Sequence, residues 1–270
     1  MKILSKLSLG LVFFFLYAPI AILILFSFNS GESTGVFEGF SFYWYKELFR
    51  NSDAVNALVN TLILAFLSAT IATVVGTAAA AGIYKFRRKI TKGLLLNVTN
   101  VPMMNPDIVT GVSMMLLFVF IGRAVGAQSN LSFWTLLIAH VTFNLPYVIM
   151  SVLPKFRQMD RNLPEAALDL GCTPLQAFIK VEIPQIMPGI FTGFIMAITL
   201  SIDDFVISHF TGAGFQTLPL LIYSMTKKTV KPDMYALSTL IFITILILMI
   251  LSHVPSYMEE RKAKGKGGVK

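Results

Sequence analysis

Six long apolar runs, separated by short polar segments, account for most of the chain. The first extends from Leu7 to Phe28. A helix of that length rises about 33 Å, enough to cross a hydrocarbon core of roughly 30 Å. The others are Ala57 to Ile83, Leu94 to Ile121, Phe133 to Leu153, Met187 to Phe210 and Tyr235 to Pro255. They are free of Lys and Arg, and their few acidic or imidazole groups are Asp107, His140, Asp203, Asp204, His209 and His253. The pattern predicts an all-α fold: a polytopic membrane protein of about six transmembrane helices. No Pro/Gly/Ser-rich linker divides the chain, so one transmembrane domain over residues 1–270 is expected. The first run is longer than the roughly 7–15 residues of a secretory signal, and no A-x-A site follows, which favours a retained helix.

Composition agrees. The chain is 55% hydrophobic and 13% charged, against about 25% charged in soluble domains. A net charge of +8 on a soluble protein would suggest nucleic acid. Here the basic residues sit in short clusters between apolar runs, which reads as membrane topology instead. Sixteen of the 22 Lys and Arg fall on one side if both termini are cytoplasmic. Lys227, Lys228 and Lys231 are the local exception, and an outer loop that meets a partner would account for them. The stretch from Phe42 to Phe49 is aromatic, and Tyr45, Leu48 and Phe49 share a helical face. It reads as an interfacial anchor. The tail Lys262–Lys270 reads as a solvated, disordered end. Cys172 is the sole cysteine, so no internal disulfide forms.

The segment 162–184 lies between the fourth and fifth runs. Read locally, it is two short helices and a turn. Pro164 suits a first helical position, with Glu165 and Asp169 behind it. Gly171 suits a left-handed cap. Thr173 and Gln176 form a capping box around Pro174, and Pro184 is expected to end the second helix. Ala166, Ala167 and Gly171 form a small face that permits close approach by another surface.

This segment resembles the EAA loop of bacterial ABC importer permeases, E-A-A-x3-G-x9-I-x-L-P. Glu165, Ala166 and Ala167 lead to Gly171, and Val181, Ile183 and Pro184 close the pattern with two aliphatic exchanges. The resemblance implies a coupling helix within about residues 155–186 that seats in a groove of an ATPase subunit. Glu165 would contact the ATPase, and Gly171 would hold the turn. No Walker A pattern occurs in the chain, so this reading makes the chain a transport subunit rather than an enzyme. It assigns ATP and Mg to the partner ATPase and no cofactor here.

Asp107, Asp203 and Asp204 stand in apolar runs, where an ionised Asp costs about 2.5–3.5 kcal/mol on insertion scales. Pro102 and Pro106 should bend or break the helix beside Asp107. Adjacent Asp203 and Asp204 diverge by about 100° on a helix, so one of them at most points straight into a path. Acids without intramembrane Lys or Arg suggest a cationic substrate. Trp134, Tyr147 and Tyr223 are candidates for cation–π contacts. The competing reading is that the aspartates cap helix ends or bond a partner subunit. His140 and His209 read as interhelical hydrogen-bonders, since no spacing supports a metal site. The segments Met104–Val109, Ser201–Ser208 and Leu218–Ser224 are similar to the spermidine/putrescine (PotC-type) permease family. That resemblance implies a four-part importer: this subunit, a second homologous permease, two ATPase subunits and a periplasmic substrate-binding protein, in a bacterial inner membrane. In such an assembly, the receptor would dock near Trp44 and residues 212–217. The alternatives are an ABC permease for another small solute, an ion-coupled secondary transporter, and a membrane scaffold.

Overall fold

The computed structural model describes residues 2–32, 35–86, 88–126, 131–160, 162–227 and 232–266. Its helices in chain order are α1 (Lys2–Phe26), α2 (Tyr43–Arg50), α3 (Ser52–Lys85), α4 (Lys89–Met104), α5 (Asp107–Ala124), α6 (Phe133–Gln158), α7 (Asn162–Asp169), α8 (Pro174–Ala177), α9 (Ile183–Asp203), α10 (Val206–Thr211), α11 (Leu218–Thr226) and α12 (Asp233–Lys266). A π-helical turn, Phe178–Glu182, joins α8 to α9. Six helices among the described residues are long and apolar enough to cross a membrane: Lys6–Phe26, Ser52–Lys85, Asp107–Ala124, Phe133–Gln158, Pro174–Asp203 and Asp233–Ser252. The architecture is all-α, as the apolar runs imply.

The break expected beside Asp107 is present, and three other boundaries differ from the sequence reading. The run Leu94 to Ile121 is two helices, broken at Asn105 and Pro106, and only the second is long enough to span. Proline lacks the N–H that would continue the ladder and clashes with the preceding turn. The run Met187 to Phe210 also breaks, after Asp203. Pro184, in contrast, does not end its helix: α8, the π turn and α9 are continuous from Pro174 to Asp203. Within the π turn the Ile183 N–H reaches back to the Phe178 carbonyl. This wider register absorbs the donor missing at Pro184. At the other end, α12 continues through Glu259, Glu260 and Arg261 to Lys266, where good helix formers extend it beyond the expected start of a disordered tail. Residues 267–270 of that tail, and Lys228 and Lys231 of the basic loop, lie outside the described residues.

The chain forms two compact units, Met1–Val59 with Gln216–Leu246 and Asn60–Phe215 with Ile247–Lys270. In the first, Leu48, Ala54, Ala57, Leu218, Leu221 and Leu237 form a core. Trp44 and Leu48 are the buried residues of α2, spaced one turn apart, so the inner face differs from the expected Tyr45–Leu48–Phe49 face. Phe49 is exposed, while Tyr45 bonds Ser27 at 2.8 Å and packs on Phe28.

The second unit is organised by three helices. Gly76 of α3 faces Val148 of α6, and Tyr84 stacks on Phe156 with ring centres 5.3 Å apart, so α3 and α6 run in the same direction. α9 runs the opposite way: Gly193 meets Val148, and Gly189 meets Val152 and Lys155. Small residues permit this approach. A Cβ at Gly189 would stand 2.9 Å from the Ser151 carbonyl oxygen and 2.7 Å from Lys155 Cγ. Backbone cannot yield cheaply there, so close packing depends on the glycine.

Gly189→Ala is therefore expected to destabilise the α6–α9 contact by about 1–3 kcal/mol, lowering the melting midpoint of the purified protein. Gly82→Ala, with nothing within 4 Å of the added Cβ, is expected to leave the midpoint unchanged or raise it slightly.

Candidate functional site

The 162–184 segment folds much as its local chemistry dictates. Gly171 takes φ +85°. The Cys172 N–H donates to the Ala167 carbonyl at 3.0 Å, and the Gly171 N–H to the Leu168 carbonyl at 2.9 Å. These two bonds close α7 in a Schellman motif. Thr173 and Gln176 form the capping box at 3.0 and 3.3 Å, starting α8 on Pro174. Glu165, Ala166, Asp169, Gly171 and Pro184 are exposed. Ala167 is buried, so the expected open face of three small residues is not formed. Its methyl group packs inward because it lies on the inner side of a short amphipathic helix. What the loop exposes instead is apolar: Leu170 at 87% and Leu175 at 67%.

A long-range ion pair anchors this loop. Lys85 Nζ, at the end of α3, lies 2.9 Å from Glu182 Oε1 in the π turn. The Glu182 side chain is 4% exposed and that of Lys85 53%. The second Glu182 oxygen has no hydrogen-bond partner among the described residues. A cavity of about 530 Å³ opens here, lined by Tyr84, Lys85, Lys89, Lys92, Glu165 and Glu182 among others. Lys92 is held over the Tyr84 ring and donates to the Tyr84 carbonyl at 3.2 Å. Partners 97 positions apart leave no local signal, and the sequence reading missed this pair.

The acidic residues in the apolar runs collect at the two helix breaks. Asp107 opens α5, and Asn105 crosses the break to donate to Thr110 Oγ1 at 2.9 Å. Gly111 of α5 lies against Val206, Ile207 and Phe210 of α10, so the first turns of these two helices meet. Asp107 and Asp203 are both exposed. Tyr147 of α6 is half-buried and within electrostatic reach of Asp107. Asp204 is placed differently. Its carboxylate accepts from the Ile207 N–H at 3.2 Å and the Ser208 N–H at 2.8 Å, capping α10. Its side chain is 6% exposed. The adjacent aspartates thus diverge at the break: one faces inward as a cap and one outward.

Behind Asp204 lies a buried polar network. His140 Nδ1 is 2.8 Å from Ser201 Oγ, and Nε2 is 3.0 Å from Ser208 Oγ and 3.4 Å from Asp204 Oδ2. Ser68 Oγ of α3 meets Ser201 Oγ at 3.1 Å. The sequence reading gave His140 an interhelical role but named none of the serines. Their only signal was polarity within apolar runs, which is common for Ser. His209 stacks on Phe205. Trp134 is exposed on α6. Tyr223 belongs to the first unit, where Lys227 Nζ stands 4.5 Å from its ring centre.

Residues 72–262 match the family described as binding-protein-dependent transport system inner membrane component. The chain belongs to that family. It is thus a multi-pass inner-membrane permease, and relatives of this permease are closely similar over nearly full length. It is 41% identical over 231 residues to the putrescine transport system permease protein PotI of Escherichia coli K12, covering 85% of this chain and 82% of that one. It is 37% identical over 261 residues to the spermidine/putrescine permease PotC of the same strain, covering 95% and 94%. PotC of Haemophilus influenzae is 37% identical over 247 residues, covering 90% and 92%. Among solved structures, a bacterial ABC transporter that imports alginate aligns with TM-score 0.69 at 15% identity, covering 96% of this permease and 95% of that chain. The MetNI methionine transporter aligns at 0.55 and 19%, covering 78% and 94%. At such identities the likeness establishes the permease fold.

Removing Lys85 strands a buried carboxylate, which costs about 3–5 kcal/mol when both partners are buried. With Lys85 half exposed, the expected cost of Lys85→Met is smaller, about 1–3 kcal/mol. The double variant Lys85→Met/Glu182→Gln should recover most of it. Melting midpoints of the single and double variants check this.

Proposed function

We propose that this chain is a membrane-spanning permease subunit of an ATP-driven polyamine importer, and that the two helix breaks form its cation-recognition site. The observation that carries the reading is the exposed, unpaired Asp203 at the C-terminal end of α9. A helix C-terminus presents free carbonyls and partial negative charge. A carboxylate there is unfavourable until a cation arrives. Among the described residues the Asp203 carboxylate has no hydrogen bond or ion pair. α4 likewise ends at Met104 beside Asp107, so both breaks combine carbonyl ends with a carboxylate. Half-helix ends at membrane depth coordinate cations in this way in other transporters. A flexible polycation with separated ammonium groups suits two such sites, and Tyr147 offers a ring face beside the first.

The close relatives carry putrescine or spermidine, and their similarity spans most of the chain. The alginate and methionine transporters share the fold while serving other solutes, so the fold does not choose the substrate. The carboxylates at the breaks support the cationic choice. An ion-coupled secondary transporter leaves the 162–184 loop without a role.

Nucleotide chemistry then belongs to a separate ATPase, and a binding protein delivers substrate from outside. The arrangement is one of these permeases, a homologous second permease and two ATPases, with both termini of this chain cytoplasmic. The ATPase grips the loop at Glu165, Ala166 and Asp169, with Leu170 and Leu175 supplying the apolar contact. Gly171 sets the angle of α7. Because α8 continues without interruption into α9, a push on the loop travels along one rigid helix to Asp203. ATP supplies the differential stability that moves the cavity between its two states.

Asp203→Asn should raise the KM for spermidine uptake about tenfold, as loss of one charge-assisted contact costs about 1.5–3 kcal/mol. ATP-dependent uptake of labelled spermidine into proteoliposomes holding the complete importer measures it. Gly171→Ala places a side chain at positive φ at a cost of about 1–2 kcal/mol and re-aims α7. It should lower the number of polyamines moved per ATP while the protein still reaches the membrane; an unchanged ratio removes the coupling role.

A further inference from the structure

The joint between α9 and α10 is two residues long. Asp204 is extended, at φ −68° and ψ 118°, and Phe205 lies at φ −100° and ψ −43°. The backbone leaves helical geometry at Asp204, so side-chain contacts bear on the angle of the joint. One imidazole touches both sides. His140 Nδ1 holds Ser201 on α9, and Nε2 faces Ser208 on α10 and the Asp204 carboxylate between them. His140 is 1% exposed and belongs to neither helix: it projects from α6, which packs against α9 along its length. Ser68 extends the anchor to α3 through Ser201. A neutral imidazole supplies one acceptor and one donor. The carboxylate only accepts, so Nε2–H faces Asp204 and Nδ1 accepts from the Ser201 hydroxyl.

We infer that His140 is a positioning residue for substrate recognition: by pinning both helices that flank the break, and the cap at Asp204, it fixes the direction of Asp203. Asp203 and Asp204 are consecutive, and with the Asp204 carboxylate held inward at the extended joint the Asp203 side chain is left on the exposed side. The inference rests on the reading of Asp203 as a polyamine contact. His140 itself never meets the substrate. A residue with only a packing role would lower stability or the amount of assembled importer. A positioning residue acts on KM through Asp203 and has nothing further to act on once Asp203 is lost.

The test is a double-mutant cycle in the complete importer in proteoliposomes, with labelled spermidine as the probe. The variants are Asp203→Asn, His140→Leu, their double, and His140→Gln, which restores a donor and an acceptor. His140→Leu is expected to raise KM by several-fold with the maximal rate per assembled complex nearly kept. The double variant should be no worse than Asp203→Asn alone, and His140→Gln should recover part of the loss. If the KM effects multiply, or if His140→Leu lowers the maximal rate with KM unchanged, the positioning role is overturned while the polyamine site stands. If Asp203→Asn alone leaves KM unchanged, the polyamine site falls, and this inference with it. Should His140→Leu fail to assemble, the same cycle with Ser208→Ala, which removes one hydrogen bond from the ring, decides between the same outcomes.

Discussion

A helix broken in an apolar medium leaves peptide groups that neither water nor the ladder satisfies, and everything this permease does at membrane depth follows from how those groups are met. Two breaks, after Met104 and after Asp203, interrupt otherwise continuous apolar runs. The new N-termini are met differently. The Pro106 carbonyl starts α5, and Asp204 caps α10. The new C-termini have free carbonyls and exposed carboxylates close by. On the proposed function, these carbonyl ends and carboxylates are what a cation would meet at the breaks.

The same physics operates in reverse at the 162–184 loop. There a proline sits inside a helix, and the chain has avoided a break by widening one turn to π geometry. Continuity matters because a flexible joint at Pro184 would absorb motion from α7 and α8 rather than pass it on. The Lys85–Glu182 pair ties the π turn to the end of α3, and tight glycine contacts tie α9 to α6. The loop is thus stiff where it enters the bundle, and the joint at Asp204 is held by side chains. On the proposed function, such a rigid lever ending at a pinned joint would transmit displacement to the recognition site.

Much of this was legible in the residues because its causes are local. Gly171, Thr173 and Gln176 adopt the cap geometry that their side chains allow almost anywhere. The break at Pro106 follows from the missing N–H. Other features depend on partners distant in sequence. Pro184 looks like a stop signal, and only packing of the continued helix on α6 shows why it is not one. The break after Asp203 has no proline, and two adjacent acids in an apolar run could equally have capped or bound. Their division of labour came from His140, Ser201 and Ser208, which meet only in the folded protein. Ala167 appeared to belong to an open face, yet it is buried, and Leu170 and Leu175 stand exposed beside Glu165 and Asp169.

The direct test is a distance. With ¹⁵N-labelled spermidine bound to the assembled importer in lipid, and ¹³C at the aspartate carboxyl carbons, solid-state NMR dipolar recoupling reads which carboxylate an ammonium touches. The account predicts contact at about 3–4 Å, the range of an ammonium–carboxylate ion pair, between spermidine nitrogen and Asp203, lost in Asp203→Asn, with no such contact to Asp204. Bound spermidine that couples to Asp204, or to neither residue, would contradict it.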